Sequence, residues 1–411
     1  MGGQRRGSWS RAPRIEASSR RASWLLGLGL AIAVAGCSSA VASTSASGSS
    51  QGPSETSPKP TGAPLPKPTV RSGTFTATGP TDLPDQDPAE PVLLKNGEVL
   101  VVGEGAAVLY DPTTRKFRST GDPVPNSSDS DYPEMAFEPS GNEPLLLADG
   151  RVLTPGSSDV QVYDPSTGAF TIKGQEASSH SLGATVLLKD GRVLAIGGAV
   201  EVPDEESSGA TVDIFDPTTG KFSRTGSMKT GRDSFTATRL RDGRVLVAGG
   251  ETQDTDAGSA YASAEIYEPA TGKWSRTGSM TTSRYDATAT LLTNGKVLVT
   301  GGVDDDRRTL SSAELYDPTT GRFTKTGSMS IARSEQAAAL LPDGRVLIAG
   351  GSTSDDPTDT AEIYDPSLGT FSQTGSMTVA RWIPWAVTLP DGGVLVVGNF
   401  DAPISADLYW P

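Results

Sequence analysis

AEIYEPATGKWSRTGSM, residues 264–280, recurs along the chain in close copies. Two near copies begin at Ala313 and Ala361, and a looser copy begins at Val212. Repetition at a nearly fixed spacing is typical of repeat architectures, in which each repeat is one structural unit. We therefore expect a single architecture built from one repeated unit.

Each unit contains four short segments separated by turn signals. In one unit, ATATLL (287–292) and KVLVTGG (296–302) flank an Asn-Gly turn, and SAELYDP and RFTKTGSM follow as the third and fourth segments. An Asp-Gly or Asn-Gly pair between apolar runs predicts a β-hairpin, because these residues tolerate positive φ. The seven glycines of such pairs are Gly97, Gly150, Gly191, Gly243, Gly295, Gly344 and Gly392.

Aromatic residues recur seven times at each of two positions in the unit, which indicates seven units. The third segment carries Tyr110, Tyr163, Phe215, Tyr267, Tyr316, Tyr364 and Tyr409, at intervals of 45 to 53 residues. The fourth segment carries Phe75, Phe117, Phe170, Phe222, Trp274, Phe323 and Phe371. Four strands in every ~50 residues is the period of a propeller blade. We predict an all-β, seven-bladed β-propeller with four-stranded blades.

The order of segments predicts how the ring closes. The repeats open at GTFTATG (73–79) with a lone fourth segment and end at ISADLYWP (404–411) with a third segment that lacks its fourth. Pairing these two would complete the last blade from both ends of the chain and remove free sheet edges. We predict a propeller domain over residues 73–411 whose last blade is closed by its N-terminal strand.

The repeats resemble kelch repeats, and the whole resembles the propeller of the galactose oxidase superfamily. The resemblance rests on Gly-Gly doublets at 197–198, 249–250, 301–302 and 350–351, and on the aromatic residues of the third and fourth segments. The first two units depart from it, with Gly103 alone and with Pro155-Gly156.

That resemblance raises the question of copper chemistry. Galactose oxidase relatives bind copper through two histidines and two tyrosines, one of which is cross-linked to a cysteine. This chain has one histidine, His180, and one cysteine. We therefore predict no copper, no other metal and no cofactor.

The first 36 residues differ from the rest and predict export. Six arginines precede the apolar run WLLGLGLAIAVAG (24–36), which has the length of a signal-peptide core rather than of a membrane span. Val34-Ala35-Gly36-Cys37 resembles the bacterial lipobox, which implies cleavage before Cys37 and its lipidation. The alternative is an incidental cysteine at the end of a membrane anchor. Ser19-Arg20-Arg21 is similar in part to a twin-arginine signal, so the export route stays open.

The lipobox resemblance implies a lipid anchor at the cell membrane, on its extracytoplasmic face. Residues 37–72 are rich in Ser, Thr and Pro and have few large apolar side chains. We predict that they form a disordered stalk. Without residues 1–36 the chain has 29 basic and 48 acidic residues, a net charge of −19. A body this acidic repels nucleic acid. We expect a monomer whose partner is an envelope protein or glycan.

A charge correlation runs through the repeats. Eleven residues before the turn glycine, units three to seven carry His180, Arg232, Arg284, Arg333 and Arg381. Two residues before the third-segment aromatic, the same units carry Asp213, Glu265, Glu314, Glu362 and Asp407. The first two units lack both groups. We predict structural ion pairs within or between blades; the alternative is a basic ring at the channel mouth that attracts an anion.

Two features are candidate ligand contacts. The second-to-third loops are acidic and include Asp304, Asp305, Asp306, Asp355 and Asp356. We predict either that these acidic loops are simply solvated, or that they form an acidic rim that binds a cationic partner or a loosely held Ca²⁺ ion.

Trp385 stands on the innermost strand where other units have Ala or Thr, and Trp382 lies beside it. A large ring there predicts either a channel plug or a stacking platform for a sugar or hydrophobic peptide.

The motif search favours binding over catalysis. No phosphate-binding loop or zinc-protease motif is found in the sequence, and a Gly-x-Ser-x-Gly match occurs only at residues 48–52, within the Ser-rich segment before the repeats. We predict a non-enzymatic binding or scaffolding module that acts through the variable-loop face. The alternative is a carbohydrate-binding protein or glycan-active enzyme, since a carboxylate pair suffices for glycoside hydrolysis.

Overall fold

The structure is a computed structural model. It describes residues 32–33, 73–79, 81, 83, 90–103, 105–124, 144–155, 159–175, 183–198, 209–252, 259–354, 356–398 and 405–411. The described residues form strands and turns without a helix, so they contain no helix suited to crossing a membrane. Cys37, the predicted stalk, His180 and Asp355 lie outside them.

Seven four-stranded antiparallel sheets confirm the predicted β-propeller. Two strands precede the first complete blade: β1 (Ile32–Ala33) and β2 (Thr74–Ala77). Blade 1 consists of β3 (Glu90–Leu93), β4 (Val99–Val102), β5 (Ala107–Asp111) and β6 (Lys116–Ser119). Blade 2 consists of β7 (Leu145–Leu146), β8 (Val152–Pro155), β9 (Asp159–Asp164) and β10 (Ala169–Gln175). Blade 3 consists of β11 (Ala184–Leu187), β12 (Val193–Ile196), β13 (Val212–Asp216) and β14 (Lys221–Arg224).

The remaining blades follow the same order, with small additions in their loops. Blade 4 consists of β15 (Asp233–Arg239), β16 (Val245–Thr252), β17 (Ser259–Ala260), β18 (Ala264–Glu268) and β19 (Lys273–Arg276). Blade 5 consists of β20 (Thr288–Leu291), β21 (Val297–Thr300), β22 (Ala313–Asp317) and β23 (Arg322–Lys325). Blade 6 consists of β24 (Ala337–Leu340), β25 (Val346–Ala349), the hairpin β26 (Ser352–Thr353) and β27 (Asp356–Pro357), β28 (Ala361–Asp365) and β29 (Thr370–Gln373). Blade 7 adds β30 (Trp385–Thr388), β31 (Val394–Val397) and β32 (Ala406–Trp410).

The predicted closure of the ring is also confirmed. β2 pairs antiparallel with β32, with Thr74 opposite Trp410 and Ala77 opposite Asp407. The innermost strands β3, β7, β11, β15, β20, β24 and β30 contact one another in a closed ring. β1 pairs in parallel with the free edge of β20.

The hydrophobic core lies between neighbouring blades. The second strand of a blade, such as Val297–Thr300, is buried at every position because other blades cover both of its faces. Between blades 3 and 4, Ile196 and Val212 pack with Val245 and Val247. In each blade the third-strand and fourth-strand aromatic rings lie 4.8 to 5.1 Å apart between centroids.

Tyrosine hydroxyls link most of the blades. The hydroxyl oxygens of Thr277 and Tyr316 lie 2.8 Å apart across the seam between blades 4 and 5. Equivalent contacts join Thr120 to Tyr163, Thr225 to Tyr267, Thr326 to Tyr364 and Thr374 to Tyr409. The seam between blades 2 and 3 differs, because Lys173 stands at the threonine position and Phe215 stands at the tyrosine position. Among the described residues, the buried Tyr110 hydroxyl has no partner.

We expect Tyr316→Phe to destabilise the protein by about 1 kcal/mol, because it removes one inter-blade hydrogen bond and leaves Thr277 without it. Tyr110→Phe is the matched control and should change the free energy of unfolding little, because its hydroxyl has no described partner to lose. Urea denaturation of both variants measures the difference. Equal losses would show that this hydrogen bond contributes nothing.

The strand order divides the connections between two faces. The first-to-second and third-to-fourth turns form the tight-turn face. They are 95–98, 148–151, 189–192, 241–244, 293–296, 342–345 and 390–393, and 111–116, 164–169, 216–221, 268–273, 317–322 and 365–370. The second-to-third and fourth-to-first connections form the opposite face, which we name the loop face.

Candidate functional site on the loop face

The side chains of the repeat arginines Arg232, Arg284, Arg333 and Arg381 are buried, and each binds backbone carbonyls of its own blade. The Arg284 Nη1 donates to the carbonyl oxygens of Gly301 (2.6 Å) and Ser312 (3.1 Å). Its Nη2 lies 3.4 Å from Glu314 Oε1. Burial lowers the pKa of the Arg284 guanidinium, and Glu314 opposes that effect.

The acid of each pair accepts hydrogen bonds from the segment that connects the preceding blade to its own blade. Glu314 accepts hydrogen bonds from the backbone N–H groups of Thr281 (2.9 Å) and Thr282 (3.1 Å). Glu265, Glu362 and Asp407 bind the equivalent connections. The arginine–acid distances in these blades are 3.4 Å for Arg232–Glu265, 3.4 Å for Arg333–Glu362 and 2.8 Å for Arg381–Asp407.

At the glycine doublets, the backbone of the next blade lies too close to leave room for a side chain. The Gly302 N–H donates to the carbonyl of Arg333 in the next blade (2.9 Å). A Cβ on Gly301 would stand 2.3 Å from that same oxygen, and both glycines have positive φ. A side chain at either position is therefore excluded by space and by backbone conformation.

These contacts contradict the alternative of a basic ring that attracts an anion. The four arginine side chains are 0 to 1 % exposed, and carbonyl and carboxylate oxygens already surround them. In blade 3, Asp213 lies 3.1 Å from Arg224 Nε on the neighbouring strand; its predicted partner His180 is outside the described residues. In blade 2, Gln161 takes the place of the acid and exchanges hydrogen bonds with the backbone of Val124.

A second group of titratable residues lies at the loop-face ends of the innermost strands of blades 4 to 6. It begins with Asp233 and Glu251, which stand opposite each other on β15 and β16. Asp286 and Glu335 each precede the next innermost strands by two residues. We name this group the mouth cluster; its members are Asp233, Glu251, Tyr285, Asp286, Arg307 and Glu335.

Backbone hydrogen bonds connect the cluster across the blades. The Asp286 N–H donates to the carbonyl of Ser234 (3.1 Å), and the Glu335 N–H donates to the carbonyl of Asp286 (3.0 Å). Ser234, Asp286 and Glu335 have φ of 52°, 51° and 54°, which residues other than glycine rarely adopt. Strained backbone of this kind is often found at functional sites.

The environment of the mouth cluster favours protonated carboxyls. Burial raises the pKa of Glu335 to about 7. Burial, followed by the charge of Asp233, raises the pKa of Glu251 to about 7, and Arg307 opposes this. Burial and the nearby Glu335 hold the pKa of Asp286 well above its usual range. Burial and Glu251 raise the pKa of Tyr285 to about 12. Near neutral pH these groups can donate as well as accept hydrogen bonds.

The mouth cluster was not among the site residues predicted from the sequence. The available signal was a polar residue two positions after the repeat arginine, where Ser234, Asp286 and Glu335 stand. Beside the cluster, a pocket of about 10 Å³ is lined by Gly198, Gly209, Gly231, Arg232, Asp233, Glu251 and Thr252. It has room for about one water molecule, far less than a small-molecule ligand needs.

The acidic loop residues that were predicted as ligand contacts have different environments. Asp304 is buried and accepts hydrogen bonds from the backbone N–H groups of Asp306 and Arg308, so it shapes its own loop. Although burial tends to raise the pKa of Asp304, these bonds and the Arg308 guanidinium hold it below its usual range. Asp305 is exposed and accepts from the Ala260 N–H of blade 4 (3.0 Å).

Asp306 and Asp356 are exposed. Across the part of the chain that the structure describes, no three His, Cys, Asp or Glu side chains converge as metal ligands. The described part of these loops therefore offers no support for the Ca²⁺ alternative.

The two tryptophans also differ. Trp385 is only 3 % exposed and begins β30. It shares a strand face with Val387, which packs against the core between blades 7 and 1. The structure therefore does not support Trp385 as a stacking platform, because its ring is buried. Trp382 is half-buried in the loop and remains the accessible ring of the pair.

These features define the class of protein: a seven-bladed β-propeller with kelch motifs. The Kelch motif profile matches residues 287–330 and 335–378, in blades 5 and 6. An F-box/kelch-repeat protein of Arabidopsis thaliana is 31 % identical over 120 residues, which are 29 % of this chain and 31 % of that protein. The match thus spans about a third of the relative's length.

Among solved structures, a fungal alcohol oxidase of the AA5 family in complex with copper superposes with a TM-score of 0.64. It is 17 % identical, and the match covers 83 % of this chain and 77 % of the oxidase. At this identity the likeness shows the fold alone. The residues of this chain do not fit a histidine-rich copper site, because the sequence has a single histidine and a single cysteine.

Proposed function

We propose that this protein is a non-enzymatic binding or scaffolding module, tethered to the outer side of a cell membrane through Cys37, that recognises a basic protein partner with its loop face. The observation that carries the proposal is the charge distribution. Outside the tight turns, residues 73–411 contain 35 acidic and 13 basic residues. The exposed loop acids Asp305, Asp306 and Asp356 place carboxylates on the loop face, where a cationic segment would be attracted.

The course of the chain supports this use of the loop face. Gly73, which precedes β2, donates its N–H to the carbonyl of Trp410 (2.6 Å), at the end of β32. The end of a third strand belongs to the tight-turn face. A tether that begins at Cys37 would therefore join the propeller on the tight-turn face and leave the loop face free for a partner.

A pull-down from envelope fractions tests the proposal with charge-reversal variants. We expect Asp305→Lys/Asp356→Lys, on the loop face, to weaken capture of the partner protein at least tenfold, with a strong dependence on salt. The control, Asp149→Lys/Asp343→Lys, reverses two exposed acids on the tight-turn face and should leave capture unchanged. Equal effects of the two variants would contradict the proposed surface.

A carbohydrate-binding role is the second candidate, and the half-buried Trp382 favours it. An indole ring that is accessible on the loop face offers a large apolar surface on which a sugar could stack. In a glycan array, saccharide binding that Trp382→Ala abolishes and the charge reversals spare would favour this role. Turnover of a bound glycan that depends on Glu251 or Glu335 would indicate a glycan-active enzyme.

A further inference from the structure

We propose that the tight-turn face of the propeller rests on the membrane surface and contacts anionic lipid headgroups, so that the protein has a defined orientation. This inference rests on the proposed lipid anchor at Cys37. Thirty-five residues separate Cys37 from Gly73, and such a length can span up to about 120 Å. A tether this long does not orient the propeller by itself, so the orientation must come from the surfaces.

The tight-turn face and the rest of the propeller differ in their balance of basic and acidic residues. The tight turns defined above hold 13 basic and 12 acidic residues, whereas residues 73–411 together hold 26 basic and 47 acidic residues. The tight-turn face is thus slightly cationic in a strongly acidic domain. Surface charges act over a Debye length of about 8 Å at physiological salt. An anionic membrane would therefore attract this face while the distant carboxyls are screened.

Lys95, Lys189 and Arg241 on this face form no ion pair within 4 Å of a described acid, and their side chains bind backbone instead. The arginines of four turns are paired with the aspartate of the same turn at 2.7 Å. By contrast, Lys95, Lys189 and Arg241 donate to backbone carbonyls of the next blade. Those bonds position the side chains at the surface. Lys95 and Lys189 also help to lower the pKa of Asp149 and Asp242, whereas no acid of this kind is found for Arg241 among the described residues. All three residues are exposed.

The tight-turn face also carries an exposed apolar side chain. Leu368 is 72 % exposed at the tip of the third-to-fourth turn of blade 6. Blade 6 neighbours blade 7, where Gly73 accepts a hydrogen bond from the Gly375 N–H that follows β29 (2.8 Å). An exposed apolar side chain on a membrane-facing surface can enter the headgroup region, and basic residues on the same face add electrostatic attraction.

Fluorescence quenching on vesicles tests the orientation with the full-length lipoprotein. Leu368→Cys and Val379→Cys place a dye on opposite faces at matched apolar positions, since Val379 is 40 % exposed on the loop face. Cys37 is the only native cysteine, and the lipid would occupy it. On vesicles of phosphatidylglycerol and phosphatidylcholine with a quencher-labelled lipid, we expect at least threefold stronger quenching at position 368. Equal quenching at both positions overturns the inference.

A charge variant tests which chemistry orients the protein. Lys95→Gln/Lys189→Gln/Arg241→Gln should reduce the membrane-facing population, because each cation near an anionic surface contributes roughly fivefold. Pure phosphatidylcholine should abolish the difference between the dye positions in the unmodified background. If the difference persists on neutral vesicles and in the triple variant, headgroup charge does not orient the propeller.

Fractionation separates failure of this inference from failure of the proposed anchor. If Cys37→Ser leaves the protein in the same cell fraction as the unmodified chain, the lipid anchor is wrong and the orientation has no basis. If Cys37→Ser releases the protein from membranes but the two dyes are quenched equally, the anchor stands and the orientation is wrong.

Discussion

Replacing Arg284 with alanine is expected to destabilise the propeller by about 3 to 5 kcal/mol, among the largest effects of a single substitution in this chain. The change leaves the buried carboxylate of Glu314 without its cation. It also removes the donor that the carbonyls of Gly301 and Ser312 share. Urea denaturation followed by tryptophan fluorescence measures the loss.

An exposed arginine provides the control for that experiment. Arg118 forms a 2.7 Å ion pair with Glu98, but its side chain is 55 % exposed. Arg118→Ala should therefore cost less than about 1 kcal/mol. A similar loss in the two variants would show that burial does not amplify the role of the repeat arginines. Glu314→Gln adds a second comparison, because Gln161 already serves at the equivalent position of blade 2.

The second large effect is a pH dependence that originates from Glu335. Burial raises the pKa of Glu335 in the folded state from the usual 4.5 to about 7. A carboxyl with a raised folded-state pKa stabilises the fold fully below pH ~4.5, and this contribution is lost as the pH rises through ~7. The difference corresponds to about 3 kcal/mol. Glu335→Gln should therefore stabilise the protein at pH 8 and have little effect at pH 4.

The measurement is the free energy of unfolding of both proteins from pH 4 to pH 8, and the difference between the two profiles isolates Glu335. The control is Asp359→Asn, which removes an exposed carboxylate from the same face. Its difference profile should stay nearly flat over this range. A flat profile for Glu335→Gln as well would contradict the raised pKa. Because the negative charge of Glu335 helps to raise the pKa of Asp286, we expect Asp286→Asn to reduce the pH dependence as well.

Much of the fold was predictable because its signals are local. The hairpin at Gly295 and the packing of Tyr316 on Phe323 depend on residues within about ten positions of each other. Closure of β2 on β32 is a long-range contact, but counting incomplete units at the two ends was enough to predict it. Repetition supplied seven versions of each signal, so the blade pattern is readable even where blades 1 and 2 lack the glycine doublet.

The candidate site was only partly predictable. The correlation between Arg284 and Glu314 and their equivalents was visible because it repeats with the units. Whether those arginines face solvent or the blade interior depends on how blades pack, and the structure shows them buried. Trp385 illustrates the same limit, since strand alternation assigns a side chain to one of two faces without saying which neighbour covers it.

The sequence by itself determined the repeat, the four-stranded blade, the number of blades and the closure of the ring, because turn chemistry and strand periodicity are properties of short segments. The tertiary structure alone decided the mouth cluster. Glu251 and Glu335 are 84 residues apart on different blades. Their affinity for protons depends on burial and on the distance to other charges, and both arise only when the blades pack around a common axis.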